Sequence, residues 1–439
     1  MSLTMLSLLK EIILDAQAGD LFTGTLRTLT AEGKDKKATV LIGVRRCGKS
    51  TWLNQEIARL ISSGVKRENI LYINFFDDRL AGLSAEGPDK VLEAYYMLYP
   101  EKKNKEKIFC FFDEIQMIRG WESFIDRILR TEKCSVYLTG SSANLLSKEI
   151  ATHMRGRALS WELFPFSFEE FLSQKGIAAT WPATSRNRLL IRKSFDDYYE
   201  TGGFPEVIET GRQIRVKIHQ EYLSSILFRD LIERYDISHP RAVVDLVRRM
   251  MENAGSLYTL NALTGYLQSL GHKAPKNSVA DYLAWAEDAY FLFTVKMYSA
   301  SYGKSNVNPK KIYCIDHALL QSVTSGILIN RGHLLENMVF IALRRQVASV
   351  YYYRTAAKQE VDFIFKDLHG KPHLIQVCET LVNPQTRQRE TASLQNAMME
   401  LGISRSMIVT LDETEEIPVP AGTIEVIPIW QFLLSSLTV

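Results

Sequence analysis

The chain has 439 residues, 46% of them hydrophobic and 23% charged, with a formal net charge of +3. That length asks for roughly two to four domains, and the composition excludes disordered, fibrous and membrane-embedded classes. Near-balanced charge makes no case for nucleic acid by itself, and five scattered cysteines offer no zinc-ligand spacing.

The first ten residues lack the basic region and cleavage site of a signal peptide. No apolar run approaches the roughly 18 to 20 residues that cross a bilayer, so the cytoplasm is the default location. Leucines and isoleucines at helical spacing predict a lead-in helix over Met1 to Ala18. The polar stretch Ala31 to Lys37 then precedes an apolar strand, Ala38 to Ile42. Next comes Gly43-Val44-Arg45-Arg46-Cys47-Gly48-Lys49-Ser50-Thr51, a complete G-x-x-x-x-G-K-[ST] loop. Trp52, Leu53, Ile57 and Leu60 follow at helical spacing, so the loop opens a helix. In that setting backbone N–H groups cradle phosphate oxygens and the helix N-terminus adds a favourable dipole. Lys49 is expected to reach the β- and γ-phosphates and Ser50 to offer its hydroxyl to Mg2+. Gly43 to Thr51 are thus the expected nucleotide-binding residues.

Four more strands are predicted, at Asn69 to Phe76, Lys107 to Phe112, Ser135 to Thr139 and Ala158 to Phe164. Helical segments, including Pro88 to Leu98 and Trp121 to Arg130, separate most of them. Strands alternating with helices imply a parallel sheet with helices on both faces. Asp113 and Glu114 end the third strand, which the reading sets beside the first. There Asp113 is expected to hold Mg2+ and Glu114 to polarise the attacking water. Ser141, in Thr139-Gly140-Ser141-Ser142, is either a hydroxyl that senses the γ-phosphate or an ordinary helix cap. Arg155 and Arg157 are either fingers presented to a neighbouring subunit, which would make the chain a homo-oligomer, or else part of a solvated turn or clamps on the chain's own acids. Asp77-Asp78-Arg79 is a further candidate for the cleft.

Beyond residue 165 the pattern becomes helical: Phe168 to Lys175, Arg186 to Thr201 and Gln213 to Arg234. Three helices (Ala242 to Asn253, Thr259 to Leu270, Pro275 to Tyr290) and two β-rich runs (Phe291 to Tyr298, Lys311 to Ile315) then outline a winged helix-turn-helix. Its third helix mixes Lys273 and Lys276 with Asp281, Glu287 and Asp288, so DNA contact and protein docking both stay open. The last segment reads as a helix (Gly332 to Val347), strands near Val350 to Arg354, Val361 to Phe365 and His373 to Cys378, another helix (Arg387 to Leu401) and strands near Met407 to Leu411 and Thr423 to Pro428. The expected domains are therefore 1–165, 166–238, 239–330 and 331–439.

The succession Arg45 to Thr51, Phe112-Asp113-Glu114-Ile115-Gln116, Thr139 to Ser142 and Arg155-Gly156-Arg157 resembles a prokaryotic AAA+-like ATPase group. So do Pro165 to Phe171, Gly202-Gly203-Phe204-Pro205 and Arg229-Asp230 to Tyr235. The resemblance covers essentially the whole chain. It implies ATP binding and hydrolysis, a winged-helix module, and a C-terminal domain similar to the restriction-endonuclease fold. Such folds present an acid and then an acid-x-lysine pair to Mg2+. Glu336 and Asp362 match the acids, whereas Gln376-Val377-Cys378 stands where acid-x-lysine is expected. That departure implies a domain without cleavage activity, Lys358 and Lys371 being the lysines able to supply a migrated charge.

Overall fold

Ala38–Ile42, every residue of it buried, forms β1, an inner strand of the first sheet. A computed structural model describes residues 4–140, 156–179, 184–299, 309–324, 330–347 and 349–435. It divides into two compact units, Met1–Phe164 and Pro165–Val439.

In the first unit β1 pairs in parallel with β4 (Cys134–Gly140) and β5 (Ala158–Glu162). Adding β2 (Ile70–Asn74) and β3 (Ile108–Asp113) gives the order β2-β3-β4-β1-β5, all parallel. Continuous apolar strands of this kind suit a sheet covered by helices. Among the described residues its longer helices are α1 (Met5–Ala18), α2 (Lys49–Ser62), α3 (Asp89–Leu98) and α4 (Trp121–Thr131). This is the parallel sheet with flanking helices of a P-loop fold. One expectation changes: β4 lies between β1 and β3, so the acid-tipped strand is not the immediate neighbour of β1. β2 is also shorter than predicted, because the Asn74 carboxamide turns back to accept the Phe76 N–H at 2.9 Å and ends the strand.

The second unit starts with α5 (Phe168–Gln174), fixed by a capping box between Ser167 and Glu170. α6 (Ser185–Thr201) and α7 (Arg212–Ser225) follow, and α7 continues as a π-helix over Ile226–Glu233. Next come α8 (Pro240–Glu252), α9 (Leu260–Ser269) and α10 (Lys276–Asp288). With them stands an antiparallel sheet of β6 (Leu257–Tyr258), β7 (Leu292–Val295) and β8 (Lys310–Cys314), in the order β6-β8-β7. The expected hairpin is thus a three-stranded sheet, since β6 is too short to leave a periodic signal. An unforeseen helix, α11 (His317–Val323), is capped by Asp316, which accepts the N–H groups of Ala318 and Leu319.

The C-terminal part contains α12 (Arg331–Gln346), α13 (Pro384–Leu401) and a mixed sheet. Its strands are β9 (Val350–Arg354), β10 (Glu360–Lys366), β11 (Pro372–Val377), β12 (Arg405–Thr410), β13 (Glu415–Val419) and β14 (Gly422–Pro428). They lie in the order β13-β14-β12-β11-β10-β9, parallel only from β11 through β12 to β14. β13 escaped the sequence reading because it is an edge strand carrying Glu415, Glu416 and Pro418, residues that read as loop. Among the described residues no helix is long and apolar enough to cross a membrane.

Candidate functional site

β1 runs straight into the phosphate loop. Gly43 lies so close to the Leu163 carbonyl that a Cβ would sit 2.2 Å from its oxygen, so only glycine fits. Gly48, at φ 99°, makes the left-handed turn that starts α2. Arg46 is exposed, Arg45 and Thr51 half-buried, and the Cys47 thiol fully buried. Lys49 is buried, and its ammonium donates to the Gly43 and Val44 carbonyls at 3.1 Å each. The loop is wound around its own lysine, which meets only neutral acceptors there. Ser50 is exposed in the first turn of α2, where the leading N–H groups of a helix lack internal acceptors.

At the tip of β3, Asp113 is almost fully buried. Its Oδ2 accepts the Tyr72 hydroxyl at 3.2 Å, and its Oδ1 accepts the hydroxyl of Thr139 on β4. Thr139 in turn accepts the Glu114 backbone N–H at 3.0 Å. The interposed β4 therefore ties both acids together through one hydroxyl. Burial, and then the Asp113 charge, raise the Tyr72 phenol far above its ordinary range, so it stays a donor. Glu114 adopts a left-handed backbone, φ 53°, which for a non-glycine residue costs of order 1–3 kcal/mol and persists where surroundings impose it. Gln116 donates to its carboxylate.

Ser141 and Arg155 lie outside the described residues. Arg157 donates to Asp126 on α4 at 2.7 Å, and Arg130 holds the other oxygen of Asp126 at 2.9 Å. Asp77 is spent on an exposed pair with Arg79 at 2.7 Å. Sequence reasoning gave Tyr72 no part in the site. Thr139 stood in the quoted run, but the hydroxyl role was assigned to Ser141 two residues on.

In the second unit, Glu336 on α12 and Asp362 on β10 do come together, with a lysine that was not foreseen. Lys358 and Lys371 are exposed; it is Lys311 on β8 that reaches Glu336 at 2.7 Å and Glu360 and Asp362 at 2.8 Å each. Tyr313, on the same strand, donates to Glu336 at 2.6 Å. Burial opposes the Lys311 charge, yet the Asp362 and Glu336 carboxylates outweigh it and hold the ammonium well above its ordinary range. Burial, then the Asp362 charge, push Glu336 up to about 7. Gln376 accepts the Asp362 backbone N–H at 3.2 Å and donates to Glu390 at 2.8 Å. The cluster borders a polar cavity of about 660 Å³.

A family model described as an AAA domain matches residues 35–172. Two described as domains of unknown function, DUF8612 and DUF4143, match residues 192–327 and 331–432. An uncharacterised protein of Haemophilus influenzae is 30% identical over 330 residues, 74% of this chain and 78% of that protein. An uncharacterised protein of Methanocaldococcus jannaschii is 29% identical over 415 residues, 91% of this chain and 88% of that one. Among solved structures, Aeropyrum pernix ORC1 in complex with DNA is 13% identical, covering 74% of this chain and 92% of its own, at a TM-score of 0.29. AMPPCP-bound DnaA from Aquifex aeolicus is 11% identical, covering 64% and 86%, at 0.28.

Proposed function

This chain belongs to a prokaryotic family of AAA-domain P-loop ATPases, and we propose that it hydrolyses ATP to ADP and phosphate and uses its nucleotide state to rearrange the domains that follow the ATPase unit. The observation that carries this reading is a coincidence of position. The phosphate loop, the Asp113–Glu114 pair and Thr139 all stand at the C-terminal ends of parallel strands β1, β3 and β4, where open α/β sheets bind ligands.

Lys49 would exchange two neutral carbonyls for anionic phosphate oxygens, a stronger class of hydrogen bond, while the N–H groups of Gly43 to Thr51 hold the phosphates. The Ser50 hydroxyl and Asp113 carboxylate would each supply an oxygen donor, the chemistry Mg2+ takes. When bound there, Mg2+ would neutralise charge on the β- and γ-phosphate oxygens. Glu114 serves as the general base, oriented by its constrained backbone, by Gln116 and by Thr139. Ser141 as sensor and Arg155 as a finger from a neighbouring subunit rest on the sequence. The Arg157–Asp126 pair favours the clamp for Arg157.

Glu114→Gln tests this reading, because the amide keeps shape and hydrogen bonding but accepts no proton. ATP binding should persist while phosphate release falls about 10²- to 10⁴-fold. Wild-type release from the variant would reassign the base. A wild type that binds ATP and releases no phosphate would favour an ATP-gated binding switch.

We read the region of α8 to α10 and β6 to β8 as a winged-helix module that docks protein or DNA. We read the endonuclease-like C-terminal domain as a binding unit without cleavage activity. The support is that Lys311 is seated on the acids and Gln376 is spent on Asp362 and Glu390. Supercoiled DNA with Mg2+ or Mn2+ should stay intact; nicking that disappears in Asp362→Ala would overturn this.

A further inference from the structure

Residues 20–33 form an irregular segment between α1 and β1 that carries no recognisable motif. α2, the helix that the phosphate loop opens, holds this strap side chain by side chain. Asn54 donates to the Phe22 carbonyl at 3.1 Å, and Trp52 to the Leu29 carbonyl at 3.1 Å. Gln55 brackets the middle: its amide donates to Thr23 and Thr25 at 2.5 and 2.7 Å, and its oxygen accepts the Arg27 N–H at 3.2 Å. Arg27 is thereby aimed back at the loop. One guanidinium nitrogen donates to the Cys47 carbonyl at 2.7 Å and the other to the Phe164 carbonyl at 2.6 Å. A Cβ on Gly48 would stand 3.3 Å from the first of these nitrogens.

The consequence follows from peptide geometry. The Cys47–Gly48 peptide is planar and trans, so its C=O and N–H point in opposite directions. A guanidinium that fixes the Cys47 oxygen therefore fixes the Gly48 N–H as well, turned away from Arg27. Were that peptide to flip, it would present a carbonyl oxygen in place of a donor and repel phosphate. Arg27 is always charged, and charged donors hold a carbonyl more firmly than neutral ones. Lys49 has to leave the Gly43 and Val44 carbonyls to reach a nucleotide, whereas Arg27 has no such need.

We propose that Arg27 is a positioning residue for nucleotide binding: it orients the Gly48 N–H in the phosphate cradle and ties that peptide to Phe164, where the chain leaves the ATPase unit. This rests on the ATP-binding reading above. The same guanidinium then links loop conformation to the exit of the unit.

The test compares the full-length wild type, Arg27→Met and Arg27→Lys by titration with a fluorescent ATP analogue and by the melting shift ATP induces. Arg27→Met keeps the packing of the stem and removes the guanidinium. It should bind ATP about 10- to 100-fold more weakly, the worth of one lost charged hydrogen bond, and show a smaller ATP-induced melting shift. Arg27→Lys should recover part of the loss, since one ammonium reaches one carbonyl and cannot bridge two. KM should rise more than kcat falls. Wild-type ATP affinity in Arg27→Met overturns the proposal, even if the nucleotide-free protein melts lower, because that pattern marks a purely structural residue. Should Arg27→Met not fold, Arg27→Lys decides: weaker ATP binding supports the proposal and unchanged binding overturns it. If neither variant folds, Arg27 is a folding residue and the proposal fails. A wild type that does not bind ATP, or a Lys49→Ala variant that binds it normally, would instead sink the ATP reading itself.

Discussion

Each unit buries a lysine at its candidate site, and the two differ in what surrounds them. Lys49 rests on two neutral carbonyl oxygens of its own loop at 3.1 Å. Lys311 is seated against three carboxylates from two elements, at 2.7 to 2.8 Å. A buried cation on neutral acceptors gains when an anion arrives, so its contacts are made to be exchanged. A buried cation among carboxylates already has its counter-charges, and removing it leaves them uncompensated in a poorly solvated place. The first arrangement suits binding and the second suits structure.

Substitution of each lysine would break or sharpen that contrast. Lys49→Ala should weaken ATP binding about a hundredfold or more, since it deletes charged hydrogen bonds worth about 1.5–3 kcal/mol each. The melting temperature of the nucleotide-free protein should hardly move. Nucleotide titration and thermal melting read the two effects separately, and unchanged affinity would remove the loop from the site. Lys311→Met should do the reverse. It should cost about 3–5 kcal/mol of stability, the usual penalty for orphaning one side of a buried ion pair, and leave ATP affinity within about twofold. Urea unfolding checks it; a loss below about 1 kcal/mol would put this cluster with weak surface pairs.

A third effect is a pH dependence. The folded protein holds the Glu336 proton up to about 7, against an ordinary value of 4.5, so between those values it binds a proton that the unfolded chain has released. Stability from this group is fully present below about 4.5 and declines as pH rises towards about 7. The buried Glu390 carboxyl, also raised, adds a slope of the same sign. Glu336→Gln should flatten the decline, measured as urea midpoints across that interval. An identical slope in the variant would assign the pH dependence elsewhere.

How far each site was legible follows from how local it is. The loop from Gly43 to Thr51 is nine contiguous residues, and its meaning depends on dihedrals and donors within one turn of chain. Asp113 and Glu114 could be placed because a buried apolar strand must end somewhere, and its first polar residues mark that end. The Lys311 cluster gave no comparable signal. Lys311 lies 25 residues from Glu336 and 51 from Asp362, at the head of a run that reads as an apolar strand. By sequence alone the nearer Lys358 and Lys371 are the candidates, and both stay in water.

By itself the sequence determined the alternation of strands and helices, the phosphate loop and the acids at a strand tip, because periodicity and turn chemistry act over a few residues. Tertiary structure alone decided that β4 separates β1 from β3, that Thr139 joins the two acids, that Arg27 caps Cys47, and that Lys311 neutralises the C-terminal carboxylates. Each of these depends on which distant segments become neighbours. That choice is made by burying whole faces of sheets and helices, and no short stretch of chain records it.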